Sequence, residues 1–232
     1  MFTKERILFE DNHLMVVNKL SGELVQSDTE GNLGLEDDIK EFIKIRDNKP
    51  GAVFLGVIHR IDRPVSGAII FAKTSKALAR MNENVKAREI KKHYLAIVEH
   101  APQEESGTLK HYIVRNSQKN RSYALDRPAQ GGKEGVLNYN MIGASQNYYL
   151  LDIELITGRH HQIRSQLQKI GCSIKGDLKY GAPRSNIDGS ISLHSRSLEF
   201  EHPVTKEVIK IIAPVPKDDN LWRFFEQTTN DK

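Results

Sequence analysis

At 232 residues, the chain has the length for one large domain, or two intimately packed subdomains, around a substantial core. A single cysteine, Cys172, excludes an internal disulfide framework and a multi-thiolate metal site, and no stretch approaches the roughly 18 continuous apolar residues of a membrane span. The net charge of +4 is unevenly spread: residues 1–50 carry seven Lys/Arg against eleven Asp/Glu, while residues 73–93 carry seven against two, and residues 109–133 and 157–184 six against one each. Three basic windows behind an acidic start predict an electropositive face for a polyanion; the plainer reading of any one window is a solvated surface. The only apolar run in residues 1–19, Leu14-Met15-Val16-Val17, is too short for a signal-peptide core, so a soluble, cytoplasmic protein is expected.

In chain order, strands are predicted over 13–19, 52–58, 67–73, 92–98, 109–115, 121–125, 135–142, 148–156, 192–200 and 207–212, from branched and aromatic runs bounded by turn residues. Helices are fewer. Leu35, Ile39, Phe42 and Ile43 form one apolar stripe, and Leu78, Met81 and Val85 another behind the N-cap candidates Thr74 and Ser75. Ile163, Leu167 and Ile170 form a third, closed by Gly171. Many antiparallel-looking strands with interspersed helices predict an α+β fold: a mixed, largely antiparallel central sheet flanked by a few helices. Segments 103–108 and 117–121 read as hairpin tips. The glycine-rich, basic stretch 126–133 reads equally as an ordinary solvent loop or as an arm closing on a ligand.

Three segments carry chemistry. His59-Arg60-Ile61-Asp62-Arg63-Pro64-Val65-Ser66-Gly67 sets one carboxylate between two guanidiniums, where the apolar 52–58 run breaks at Pro64 and Gly67. Arg60 and Arg63 are expected to lower the Asp62 pKa, giving a carboxylate suited to attack or to accept a proton and unsuited to donate one. A surface ion-pair cluster is the bland alternative. Thr157-Gly158-Arg159-His160-His161-Gln162-Ile163-Arg164 joins a predicted strand to the third helix, with His160, Arg164 and Gln168 at four-residue spacing; Arg164 is expected at the border of core and solvent, within reach of a carboxylate from another segment. No metal site is expected there, because adjacent His160 and His161 would project about 100° apart on a helix and no metal-ligand spacing is present. In Lys92-His93-Tyr94-Leu95-Ala96-Ile97-Val98, Tyr94 shares a face with Ala96 and Val98. A core tyrosine is the plain reading, and a phenol that stacks on a base or moves a proton the functional one.

Together these segments resemble the RluA-type family of RNA pseudouridine synthases. The likeness runs in order through Val16-Val17-Asn18-Lys19-Leu20-Ser21-Gly22, His59-Arg60-Ile61-Asp62 with Ser66-Gly67, the strand around Tyr94, and Gly158-Arg159-His160-His161-Gln162-Ile163-Arg164. It continues through Gly176-Asp177-Leu178-Lys179-Tyr180-Gly181, Leu193-His194 and His202-Pro203. The resemblance implies that Asp62 is the essential aspartate, Tyr94 the active-site tyrosine and Arg164 the arginine that pairs with Asp62. Arg60 matches the arginine that holds the target nucleotide out of its stack. His59, Arg63, Lys92, Arg159, His161 and Gln162 are the further candidate RNA or substrate contacts. Leu20, Val65 and Gln166 depart from the usual proline, threonine and histidine, outside the catalytic set.

The resemblance further implies a single catalytic domain over 1–232 with a cleft across its sheet, no S4-type domain, and the isomerisation of uridine in rRNA or tRNA. The reaction moves no electrons to an acceptor and adds no group, so neither cofactor nor metal is expected. The partner is RNA, flipped out at the target base, with no membrane partner and a monomeric protein. A non-catalytic RNA-binding or ribosome-assembly factor on the same fold is the alternative, and an N-glycoside hydrolase a third reading.

Overall fold

The computed structural model describes residues 2–230. In chain order its elements are β1 (Ile7–Glu10), β2 (Leu14–Lys19), α1 (Leu35–Arg46), β3 (Gly56–Val57), β4 (Ser66–Ala72) and α2 (Ser75–Ala87). There follow β5 (Lys91–Val98), β6 (Ser106–Asn116), β7 (Arg121–Leu125), β8 (Lys133–Ala144), β9 (Tyr149–Leu155) and α3 (Gln162–Lys169). β10 (Leu193–Glu201), β11 (Val208–Ile212) and α4 (Asn220–Asn230) complete the chain. The class is the expected α+β, with largely antiparallel pairing. The chain divides into two units: one runs up to Ile90 and takes in Ser195–Pro214, and the other comprises Lys91–His194 and the chain from Val215 on.

In the first unit β4 lies between β2 and β10, with β1 beyond β2, β11 beside β10, and the two-residue β3 on β4. Leu14 and Val16 of β2 and Ala68, Ile70 and Ala72 of β4 form one buried face, against which α2 sets Ala77 and Met81. The alternate residues Met15, Val17, Ile69 and Phe71 are buried as well, which is why these strands read as continuous apolar runs without alternation. Thr74 caps α2 as expected, its Oγ1 accepting from the Ala77 amide at 3.2 Å. Gly67 is required for a close approach: its φ is +114°, and a Cβ there would sit 2.3 Å from the Ser195 carbonyl oxygen on β10.

The expected strand over 52–58 is a correction. Only Gly56 and Val57 pair, with Ala72 and Phe71, and the chain on either side is irregular. Phe54 stays exposed, so an apolar run placed its residues near the core without earning a ladder.

The second unit is an antiparallel array in the order β5-β9-β8-β6-β7. Leu95, Ile97 and Leu150 on one face pack with Val215 and with Trp222 and Phe225 of α4. Tyr94, Ala96 and Val98, one residue out of phase, belong to the opposite face of β5. The β6–β7 tip occupies 117–120, as expected, whereas β6 begins at Ser106, inside the segment expected to be the other tip.

Candidate active site

Asp62 sits half-buried in the irregular segment between β3 and β4, and the segment is folded around a lysine. Lys19, at the end of β2, is fully buried, and its Nζ donates to the carbonyls of Val65 (2.7 Å), Leu20 (2.9 Å) and Arg63 (3.0 Å). Burial pushes its pKa down to about 8, while the nearby Glu23 and Asp62 charges pull upward. Backbone bonds complete the staple. Gly22 N–H donates to the Arg63 carbonyl at 2.8 Å, Val65 N–H to the Asp62 carbonyl at 3.0 Å, and Ser21 Oγ to the Pro64 carbonyl at 3.0 Å. Arg63 Nε returns to the Gly22 carbonyl at 2.9 Å. The Val16–Gly22 and His59–Gly67 motifs, far apart in sequence, are thus two halves of one loop platform.

In the second unit the organising charge is Arg164, buried on α3. Asp177 accepts from its Nε at 2.7 Å and its Nη2 at 2.8 Å, a side-on bidentate pair with both partners at least 90 % buried. Tyr180 lies across the guanidinium, its ring centroid 4.9 Å from Cζ. Tyr180 Oη accepts from Ser122 N–H at 2.7 Å and therefore directs its own hydrogen to His161 Nδ1 at 2.9 Å. That bond requires a neutral His161. Burial, with Arg164 beside it, pushes this histidine down to about 2, so it stays neutral across the physiological range.

The histidine pair departs from expectation for a backbone reason. His161 is the N-cap of α3 in the left-handed region, φ 51°, so the helix starts at Gln162 and His160 lies outside it. The two rings are stacked at 3.8 Å and 18°, not splayed by 100°. His160 Nε2 meets Asn120 Oδ1 at 3.2 Å, which leaves Nδ1 to accept from Ser122 Oγ at 2.8 Å. Among the described residues no group of three His, Cys, Asp or Glu could hold a metal ion.

The remaining candidates divide by environment. Arg60 is exposed. His59 Nε2 accepts from Ile70 N–H at 3.2 Å, tying the ring to β4. Tyr94 is buried on β5, opposite Ile153 of β9. Lys92, on the same face two residues away, has its pKa lowered by burial and has no ion-pair or hydrogen-bond partner among the described residues. Arg159 Nε donates to the Glu134 carbonyl at 3.0 Å.

Gln162 is bonded within the fold. It is 2 % exposed, its Oε1 accepts from Thr157 Oγ1 and Arg159 N–H, and its Nε2 donates to the Val136 carbonyl. These bonds fix the strand-to-helix turn. His161, expected as an RNA contact, is likewise buried in support of Tyr180.

Sequence reasoning gave no role to Asp177, Tyr180 or Lys19. The signal for Asp177 was present: it is the lone carboxylate in the 157–184 window, among six cations.

Residues 13–169 match the family model for RNA pseudouridylate synthase. The chain belongs to that family, in its RluA-type branch. It is 35 % identical to an uncharacterized RNA pseudouridine synthase of Chlorobaculum parvum, over 93 % of this chain and 72 % of the relative. It is 32 % identical to the ribosomal large subunit pseudouridine synthase C of Escherichia coli O157:H7, over 97 % and 70 %. The fold is that of human RNA pseudouridylate synthase domain containing 4, with a TM-score of 0.77 over 97 % of this chain and 92 % of that one, at 23 % identity. The protein is a pseudouridine synthase, an isomerase, and RNA is its substrate class. No helix among the described residues of this synthase is long and apolar enough to cross a membrane.

Proposed function

We propose that this synthase isomerises uridine in ribosomal or transfer RNA, with Asp62 as the ionised carboxylate at C1′ of an extruded nucleoside. The name of the E. coli relative supports ribosomal RNA as the first substrate to try. In the reaction the C1′–N1 bond breaks, the base turns, C5 bonds to C1′, and the C5 proton leaves while N1 gains one. Asp62 either attacks C1′ or removes the 2′ proton to loosen the base; both roles need a carboxylate held ionised and aimed. Tyr94, or water under its control, handles the C5 proton.

The observation that carries this reading is the preorganisation of Arg164. Asp177 takes Nε and Nη2 and Tyr180 backs the plane, and the family resemblance makes Asp62 the carboxylate this guanidinium serves. A guanidinium fixed in advance stabilises the carboxylate without reorganising during the reaction. Exposed Arg60 fits the place vacated by the flipped base, and Lys92, a half-buried cation without a counter-charge among the described residues, fits a phosphate beside Tyr94. Arg63, His59 and Arg159, each anchored by one nitrogen to the backbone, line the RNA path.

The test is incubation of rRNA and tRNA lacking pseudouridine with wild type and with Asp62→Asn, followed by mapping of the modification. New pseudouridine with wild type alone, a loss of about a thousandfold or more in the variant, and unchanged RNA affinity are expected. Free uracil would instead show hydrolysis, binding without product would show an RNA-binding factor, and appreciable turnover by Asp62→Asn would remove the role given to Asp62.

A further inference from the structure

Arg121, the first residue of β7, holds its guanidinium against two phenol rings, with Cζ 5.3 Å from the Tyr123 centroid and 5.0 Å from that of Tyr180. Its Nε is buried and has no hydrogen-bond partner, and no carboxylate among the described residues pairs with it. A buried donor without an acceptor is costly and rare in a finished fold, and it marks a place where a ligand completes the bonding.

The surroundings add charge of one sign. Lys179 Nζ donates to the Asn120 carbonyl at 3.1 Å, which brings this exposed lysine to the hairpin tip beside Arg121. Arg115 stands opposite Ser122 in the β6–β7 ladder, and Arg115 and Lys179 both act electrostatically on His161. His160 reaches the same tip through Asn120. The one carboxylate at hand, Asp177, is held by Arg164. Two basic windows of the sequence are therefore folded into one cluster of cations around the β6–β7 tip.

We propose that Arg121, with Lys179 and Arg115, is a phosphate-binding site for the RNA backbone. Two phenol rings lie within about 5 Å of the guanidinium, and its planar fork of donors suits bidentate contact with phosphate oxygens. Tyr180 carries Arg121 as well as Arg164, so a phosphate drawn to Arg121 steadies the ring against which Arg164 is set. The inference rests on the RNA-modifying reading above and names where the strand is gripped.

The test measures binding of a fluorescein-labelled oligouridine by anisotropy between about 50 and 200 mM KCl. Arg121→Gln is expected to weaken binding several-fold at low salt and to lower the salt slope by about 0.7, the share of one single-strand phosphate. Arg121→Lys should restore the slope. Lys179→Gln, at an exposed position, should act in the same direction and decides the matter if Arg121→Gln does not fold. Lys44→Ala on α1, outside the site, should change nothing.

Wild-type slopes in folded Arg121→Gln and Lys179→Gln overturn the proposal. Thermal stabilisation of wild type by inorganic phosphate, lost in Arg121→Gln with no change in RNA slope, overturns it in favour of a free anion. Slopes that fall as expected while wild type makes no pseudouridine would sink the reaction reading and leave this site standing.

Discussion

Lys19 ties together the loop that bears Asp62. Its ammonium satisfies three carbonyls of the segment that bears Asp62, so Lys19→Met should leave three acceptors without a donor. Relief of ammonium desolvation offsets part of the loss, and the net destabilisation expected in urea is about 1–3 kcal/mol, with turnover falling further than RNA affinity. The same residue predicts a pH signature. Its folded pKa of about 8 lies below the ordinary 10.5, so between those values the unfolded chain binds more protons and stability from this group rises with pH. Below pH 8 both states are protonated and the contribution is flat. Urea titrations should show that rise in wild type and lack it in Lys19→Met; identical pH profiles would place the ammonium elsewhere than in the staple. At this scale the sequence was legible where chemistry requires a residue type, as at Asp62. It was opaque where a role depends on a partner brought by folding: nothing near Lys19 in the chain announces the carbonyls of Arg63 and Val65.

Elements were legible where one periodicity ruled. β4 reads as seven residues without alternation because both its faces are buried, and α2 as a stripe with a cap because only one face is. The failures have physical causes. The 52–58 run is apolar enough for a strand, yet only two residues find a neighbour, and α3 starts two residues late because His161 takes a left-handed φ that no propensity foretells. α4 went unpredicted although Asp219 caps it, its Oδ1 accepting from Leu221 N–H at 2.7 Å, ahead of Trp222 and Phe225 on one stripe. Gly67 was read in sequence as a break after the 52–58 run; the close approach of β4 to β10 that it permits makes a sharp prediction. Gly67→Ala must accommodate a Cβ 2.3 Å from backbone at a φ of +114°, so a loss of about 3 kcal/mol or more is expected, seen as a lower urea midpoint at unchanged slope. A substitution costing less than about 1 kcal/mol would mean that β10 can retreat, and that Gly67 does not set its distance.

Across the whole molecule, the three basic windows looked equivalent in sequence, and folding separates them. In 73–93, Lys73 is paired with Glu10 at 2.7 Å, Lys86 with Glu83 at 2.8 Å, and Arg80 donates to the Pro203 carbonyl, so much of that surplus is spent within the fold. In 109–133 and 157–184, Lys110 and Lys169 have acidic partners and Arg164 is committed to Asp177, but Arg121 has no such partner. Arg127 and Lys133 flank the 126–133 segment, whose base is tied down by the Asp126–Lys169 pair at 2.8 Å. A cation already matched by a carboxylate displaces few counterions from RNA, whereas an unmatched one adds close to its full share to the salt dependence. The double variant Arg127→Gln/Lys133→Gln is therefore expected to lower the slope of log affinity against log salt by about 1–1.5, and Lys73→Gln/Lys86→Gln by less than about half of that. Binding of unmodified ribosomal RNA fragments over a salt series gives both numbers. Equal losses in the two variants would show that the first window grips RNA as firmly as the second, and that matched charges on this surface are released on binding.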